Sequence, residues 1–395
     1  KPVAILSNND GCVISRSDEA KAVGLPMGAP IFKWEAFCKT NGINVLSSNY
    51  PLYGDMSSRV MSILKQFTPD VELYSIDESF LEFKNFKADY NYDDYGNQIR
   101  NRILKWTGIP TCVGIAPTKA LSKVANKVAR KFPKQTNGVY IIDSEEKRVK
   151  ALKWIKIEDV WGIGRGLTKR LKAKNCKTAF DFVHLSDDWV RKNFGTTGFK
   201  LKKELEGIPT LKLDEVKTKR AIATTRSFDY TYSDLNYIKE RISTFAVSCA
   251  EKLRKQGSSC HVIIVMLSSD RHKKGLEHHR GSKHISLPYP TDSSLIISNQ
   301  AVKAVESIFK PDIKYKRAGV IVAGIVPTDN YQLDMFQTED PKHKPLMSAI
   351  DRLNKKYRAD KIKLGSQDLK RTWKMRQERL SPRYTTHIDE IIKVK

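Results

Sequence analysis

The chain has 395 residues and a mass of 45.0 kDa, which points to roughly two to four domains rather than one core. Apolar residues make up 40% and charged residues 29%, too hydrophobic a mix for wholesale disorder; no stretch approaches the roughly 20 apolar residues of a membrane span, and KPVAILSNND is no signal peptide. The formal net charge is +26, yet residues 1–100 sum to −3 and the rest to +29, so a polyanion gripped by the later domains is expected.

In chain order, Val3–Leu6 reads as a strand closed by the turn Asn8-Asn9-Asp10-Gly11. Helices follow at Asp18–Val23, ending at Gly24, and at Ile31–Lys39, then a strand at Ile43–Leu46. Val60, Met61, Ile63, Leu64 and Phe67 keep helical spacing within 53–67. VELYSIDESFLEF (71–83) reads as a strand and its return, with acids at the tip. A helix near 95–106, a strand at 112–115, a basic helix opened by Pro117 and running to Arg130, and a strand at 139–142 complete an α+β domain.

Residues 145–210 lose strand character. Within Asp159–Phe182, the turn Gly162-Ile163-Gly164 precedes a basic helix, and the segment resembles a helix-hairpin-helix. Two glycines permit a tight turn whose amides can meet a DNA phosphate at a helix N-terminus, with Lys169, Arg170 and Lys172 following. A plain helix–helix turn is the alternative. After a polar tether at 211–221, strand 222–229, helix 235–256, strands 260–267 and 283–287, helix 292–309 and strand 315–325 give a β-α-β-β-α-β order. Its middle hairpin holds RHKKGLEHHRGSKH, with Arg271, Lys273, Lys274 and Arg280; a basic loop over phosphates fits this better than a metal site. Residues 341–395 carry 16 basic and 6 acidic side chains and read as a basic tail with one or two helices. The six cysteines form no C-x-x-C, as expected of reduced thiols in a cytoplasmic protein.

Ser75-Ile76-Asp77-Glu78-Ser79 is the sharpest local signal. Adjacent carboxylates at a strand end repel one another unless a cation neutralises them, and a hard divalent ion such as Mg²⁺ would do so. Two such ions about 3.5–4 Å apart clamp the attacking and leaving oxygens of a phosphoryl transfer. By itself such a pentapeptide is more often just a solvated hairpin tip.

The set changes the reading. SNNDGCVISRS (7–17), SSNYPLYGDMSSRVM (47–61), YSIDESF (74–80), VGIAPTKALSKVANK (113–127), DVWGIGR (159–165), QLDMF (332–336) and SPRYTT (381–386) occur in this order. Together they resemble the Y-family translesion DNA polymerases and, within them, the UmuC branch, the catalytic subunit of bacterial DNA polymerase V. The resemblance covers essentially the whole chain. SNNDGCVI, SSNY-x-L-Y and SPRYTT are its most branch-specific pieces.

The resemblance implies a multidomain right-hand polymerase. Residues 1–10 and 70–145 would form the palm and 11–69 the fingers. Residues 146–210 would be a helical thumb, 211–221 a linker, 222–326 the little finger, and 327–395 a clamp-binding motif with a basic tail. The activity implied is error-prone, template-directed transfer of dNMP to a primer 3′-hydroxyl during translesion synthesis in the SOS response. Asp77 and Glu78 would be catalytic and bind two Mg²⁺ ions. Ser15, Lys21 and Arg130 would contact the triphosphate, although Lys131 is hard to separate from Arg130 within ARKFPK, and all three residues could equally be surface charge. Gly162, Gly164, Lys169 and the basic hairpin would bind primed, damaged DNA. Gln332, Leu333, Met335 and Phe336 resemble the bacterial sliding-clamp motif, against a linker strand packed on its own domain. UmuD-like and RecA-like partners are implied by resemblance, and no membrane.

Two departures matter. The family's first palm strand, D-x-N-x-F-Y-A, carries the first metal aspartate and lies upstream of Lys1-Pro2. Val3–Leu6 is therefore expected to lack a neighbouring strand, and a third carboxylate to come from upstream, with Asp10 the nearest other candidate by sequence. In the fingers, Asp18 stands where many relatives have a donor. A clamp- and DNA-bound scaffold without catalysis, or another palm-fold phosphotransferase such as a nucleotidyl cyclase, are the competing classes.

Overall fold

The computed structural model describes residues 1–83, 91–214, 218–270, 277–328, 340–357, 361–370 and 375–393. The chain divides into two compact units, Lys1–Ser48 with Lys217–Leu380, and Asn49–Val216 with Ser381–Lys395.

The first unit opens with β1 (Val3–Leu6), β2 (Val13–Arg16), α1 (Asp18–Ala22), α2 (Ile31–Thr40) and β3 (Asn44–Ser47). Ser7 N donates to Cys12 O at 2.7 Å, and this turn folds β2 straight back on β1. The α2 crossover returns β3 parallel to the other edge of β1. β1 is thus the central strand of three, which corrects the expectation of an edge left without a neighbour. It also places residues 3–6 in one sheet with the segment read as fingers. Ala4 and Leu6 alternate inward onto Val13, Leu25 and Cys38.

The second unit runs through α3 (Tyr50–Leu64), β4 (Val71–Leu73), β5 (Ser79–Leu81), α4 (Tyr92–Thr107), β6 (Val113–Ile115), α5 (Lys119–Lys131), α6 (Pro133–Thr136) and β7 (Val139–Ile141). It continues with α7 (Glu145–Trp154), α8 (Arg165–Lys172), α9 (Ala179–Val183) and α10 (Asp187–Leu205). β4 and β5 form one antiparallel pair, β6 and β7 one parallel pair. β6 lies close under α5: a Cβ on Gly114 would stand 2.1 Å from Asn126 N, so only glycine allows this approach. Thr118, Ser144, Thr178 and Ser186 cap α5, α7, α9 and α10, each accepting a backbone N–H that the helix leaves open.

The fully buried Glu204 ties the helical part to α5. Its carboxylate accepts from Ala120 N at 3.1 Å, at the α5 N-terminus, and from Thr210 N and Leu211 N at 2.6 and 2.9 Å. Three backbone donors and a helix N-terminus compensate the desolvated charge.

Back in the first unit come β8 (Ala221–Tyr232), α11 (Leu235–Gln256), β9 (Ser258–Ser269), β10 (Arg280–Thr291), α12 (Ser294–Ile308), β11 (Tyr315–Pro327) and α13 (His343–Tyr357). The β-α-β-β-α-β order is borne out, in a four-stranded antiparallel sheet ordered β10-β9-β11-β8. Ile263, Val265 and Leu267 of β9 and Ala318, Val320 and Val322 of β11 bury one face against Ile238, Phe245 and Leu253 of α11 and Ile297 and Ala301 of α12. All six cysteines are free thiols, and burial pushes those of Cys176 and Cys260 up to about 12.

Candidate active site

The acids sit on the turn between β4 and β5. Tyr74 N and Ser75 N both donate to the Glu78 carbonyl, at 3.2 and 3.0 Å, so one acceptor pins the turn. Ser75 Oγ donates to Asp77 Oδ1 at 2.6 Å and accepts from Asp77 N at 3.3 Å. Asp77 and Glu78 are both exposed.

α5 presents a row of lysines to this hairpin and beyond. Lys119, Lys123 and Lys127, four residues apart, share a helical face. They meet three acids in turn: Glu72 at 2.6 Å, Glu78 at 2.5 Å and Asp159 at 2.9 Å. Lys123 Nζ also lies 5.0 Å from the Tyr74 ring centroid and 5.8 Å from that of Phe80. Arg130 ends the same face, exposed, in the last turn. Sequence reasoning named Arg130 and passed over Lys123, the lysine that touches Glu78. The signal was there, in the four-residue spacing of three lysines on a helix that follows an acidic hairpin.

An aromatic cluster backs the hairpin. Trp161 Nε1 donates to Tyr74 Oη at 2.8 Å, and the rings of Tyr74, Phe80 and Trp161 stand 5.5–5.9 Å apart. Trp161 directly precedes the glycine turn, so the turn and the acids share one packed group. Gly162 has φ +86°, a left-handed conformation that favours glycine, and Gly164 is the N-cap residue of α8. Lys169 is exposed near the far end of α8, beside Arg170, which donates to Asn193 Oδ1 at 3.1 Å.

Ser15 and Lys21 lie in the first unit. Ser15 is exposed on β2 opposite Ile5, and Lys21 on α1 pairs with Asp18 at 2.6 Å. Asp18, the residue that departs from the family pattern, thus serves its own helix. Arg280 begins β10 opposite Ser268, in the strand rather than the loop. Arg271, Lys273 and Lys274, and the whole motif Gln332, Leu333, Met335 and Phe336, lie outside the described residues.

Two adjacent carboxylates are hard oxygen donors of the kind Mg²⁺ takes, and both stand exposed on the turn. Among the described residues, no three His, Cys, Asp or Glu side chains converge on one point. The pair therefore fits the ion chemically and would supply part of its shell. A cavity of about 440 Å³ is lined by both half-sheets, with Phe80, Leu81 and Phe83 on one side and Ile115, Ile141 and Ile142 on the other.

The impB/mucB/samB family matches residues 1–127, and its C-terminal domain matches residues 219–335. A domain of unknown function, DUF4113, matches residues 344–394. Protein UmuC of Salmonella typhimurium is 36% identical over 100% of this chain and 94% of its own length. Protein MucB of Escherichia coli is 33% identical over 98% of this chain and 92% of its own. DNA polymerase IV 1 of Bacillus subtilis is 24% identical over 93% and 87%. Among solved structures, a Y-family DNA polymerase chimera built on Dbh superposes with a TM-score of 0.65 at 20% identity, covering 82% of this chain and 92% of that one. The insertion ternary complex of Dbh DNA polymerase gives a TM-score of 0.53 over the same shares, also at 20% identity.

Proposed function

Because this chain belongs to the impB/mucB/samB family, in the UmuC branch of the Y-family DNA polymerases, we propose that it is an error-prone, DNA-directed DNA polymerase of translesion synthesis. The primer 3′-hydroxyl oxygen forms a bond to the α-phosphorus of a dNTP, the bond to pyrophosphate breaks, and the hydroxyl proton leaves to solvent. The observation that carries the assignment of the site is the exposed Asp77-Glu78 pair on a pinned hairpin, faced by Lys123 at 2.5 Å from Glu78.

Asp77 and Glu78 would hold two Mg²⁺ ions, whose charge, when bound, stabilises the oxygens that gain charge in the transition state. Lys123 would exchange Glu78 for triphosphate oxygens when substrate arrives. Ser15, Lys21 and Arg130 are read as further triphosphate donors. Tyr74 and Trp161 hold the hairpin that aims the acids. Gly162, Gly164, Lys169, Arg271, Lys273, Lys274 and Arg280 are read as phosphate contacts to primed, damaged DNA. Residues 332–336 are read as the sliding-clamp peptide. UmuD-like and RecA-like partners, the SOS response and a cytoplasmic location belong to the same reading. Among the described residues no helix is long and apolar enough to cross a membrane.

Primer extension by the full-length protein with Mg²⁺, comparing wild type with Asp77→Asn and Glu78→Gln, tests the site. Extension should vanish in both while primed-template binding persists. Extension near the wild-type rate by either variant removes that residue from the chemistry. A wild-type protein that binds DNA and never extends it is a scaffold.

A further inference from the structure

The matched domain of unknown function begins as an ordinary packed helix. In the first unit, Arg254 of α11 grips Asp351 of α13 with two bonds, at 2.7 and 2.8 Å. Arg241 meets Asp368 at 2.7 Å, and Ser243 meets Ser366 at 2.8 Å. This half is anchored on the β8–β11 module.

The next stretch does something different. Residues 376–380 lie beside the opening sheet of the first unit. Arg376 N donates to Asn9 Oδ1 at 3.1 Å and Glu378 N to Asp10 Oδ2 at 2.9 Å. Arg379 N donates to Ser47 Oγ at 3.0 Å, and Ser47 N to Arg379 O at 2.8 Å. Ser47 and Leu380 form a parallel bridge, so the segment extends the sheet past β3. Gln377 Nε2 donates to Ser48 O at 2.9 Å, and Arg379 pairs with Glu35 at 2.7 Å.

In the second unit, Asn49 receives residues 381–382, here by donating to them. Its amide donates to Ser381 O at 3.1 Å, Ser381 Oγ at 3.0 Å and Pro382 O at 3.4 Å, while Oδ1 accepts from Leu52 N to cap α3. Thr385 hydrogen-bonds the Asp55 carboxylate, which helps hold that group below the usual carboxylate range.

The receiving side chains are polar and buried: Asp10 is 8% exposed, and Ser47 and Asn49 are 0%. A buried polar atom left without a partner costs about 1–3 kcal/mol, and with the tail in place these side chains find partners in it. Asn9 and Asp10 also sit at φ 60° and 48°, a conformation that persists where surrounding bonds over-determine it. The proposed reaction uses none of these residues. They are the branch-specific SNND and SSNY pieces, and their partner is the branch-specific SPRYTT stretch with the residues just before it.

We propose that SNND (7–10) with Ser47, in the first unit, receives residues 376–380 and that Asn49, in the second, receives residues 381–382, making this part of the domain of unknown function a strap. By fixing the 7–12 turn, the strap sets β2, which carries Ser15. The coupling to nucleotide rests on the Ser15 reading above, whereas strap binding does not.

Hydrogen exchange on the full-length protein tests the strap. Wild-type amides of Glu378 and Arg379 should be protected. In Asp10→Ala with Asn49→Ala, protection of 376–383 should fall by about tenfold or more, while α11 and β9 keep theirs. Asp10→Asn keeps an acceptor for Glu378 N and should retain protection, which separates strap binding from general unfolding. Fast wild-type exchange across 376–383, or protection unchanged in the double variant, overturns the receptor. In the same double variant KM for dNTP should rise by about tenfold with DNA affinity unchanged, an amount equal to one tenfold step in binding. Loss of protection with KM unmoved would leave the strap standing and remove its coupling to Ser15.

Discussion

The β4–β5 hairpin and the β8–β11 module solve opposite problems. The hairpin pairs three residues with three, and Leu73 through Glu78 are all exposed. It is held in place by a few specific bonds, chiefly Glu72 to Lys119 and Tyr74 to Trp161. The module pairs β9 and β11 along 12 and 13 residues and buries a continuous core under two helices. Burial stabilises the module at many positions at once. The hairpin leaves its acids exposed instead. Substitutions in the two regions should therefore fail differently, one through stability and the other through rate.

The largest effect should come from the tip. Asp77→Asn or Glu78→Gln should lower kcat by at least about 10²–10³-fold, the size expected when a charge preorganised for the transition state is lost. Exposed side chains contribute little to folding, so thermal unfolding should move by less than about 0.5 kcal/mol. A large loss of stability in either variant would break the contrast. The converse variant is Phe228→Ala, which removes a side chain 2% exposed in the module core. It should cost about 3–5 kcal/mol in denaturant melts. Extension per folded molecule should stay unchanged.

Between these extremes lies the support of the hairpin. Lys119 and Glu72 are 12% and 6% exposed, and Glu72 Oε2 also accepts from Asp214 N at 2.7 Å. Lys119→Met would leave that carboxylate with one fewer partner. Breaking a buried pair costs about 3–5 kcal/mol, and the remaining backbone bond and partial exposure bring the expected loss to about 1–3 kcal/mol. Extension should fall with it, because the strand that carries the acids loses its anchor. An unaffected melt would mean that the aromatic cluster alone holds the hairpin.

The same contrast explains what the sequence made legible. The unbroken apolar runs Val262–Leu267 and Gly319–Val326 and helical spacing in 235–256 outline the module, because elements packed on a core carry enough apolar residues to stand out. The acids were legible as a pair, Asp77-Glu78, because both stand on one turn. Lys123 was not, since its role comes from how α5 lies against the hairpin, and a lysine on a basic helix looks like surface. β1 was misjudged for a related reason. Four residues, VAIL, say that a strand exists but not which sheet receives it, and both partners, β2 and β3, are equally short. The strap was the least legible of all, because its bonds join residues more than 300 positions apart through backbone N–H and carbonyl groups.

A smaller effect should separate the clamp peptide from the chemistry. Leu333→Ala with Phe336→Ala should abolish stimulation by a sliding clamp, since a few anchors carry most of a small interface at about 2–4 kcal/mol each. Unstimulated single-nucleotide insertion should be spared. Equal stimulation before and after would remove residues 332–336 from clamp binding.

The smallest effect should come from Arg280. Arg280 is exposed at the start of β10, on the edge strand of the module sheet, just past the basic segment 271–276. A guanidinium there can neutralise one phosphate and release its counterion without reading a base. Arg280→Gln should therefore weaken binding to primed DNA by similar amounts across unrelated sequences. It should flatten the slope of log K against log salt by about one unit. Because the module core is untouched, the melt should not move, and because the acids are untouched, kcat at saturating DNA should hold. A slope that stays the same puts the phosphate contacts of this module on the neighbouring lysines instead. A change that depends on sequence would make Arg280 a base reader, a role that an error-tolerant polymerase acting on many templates has no use for.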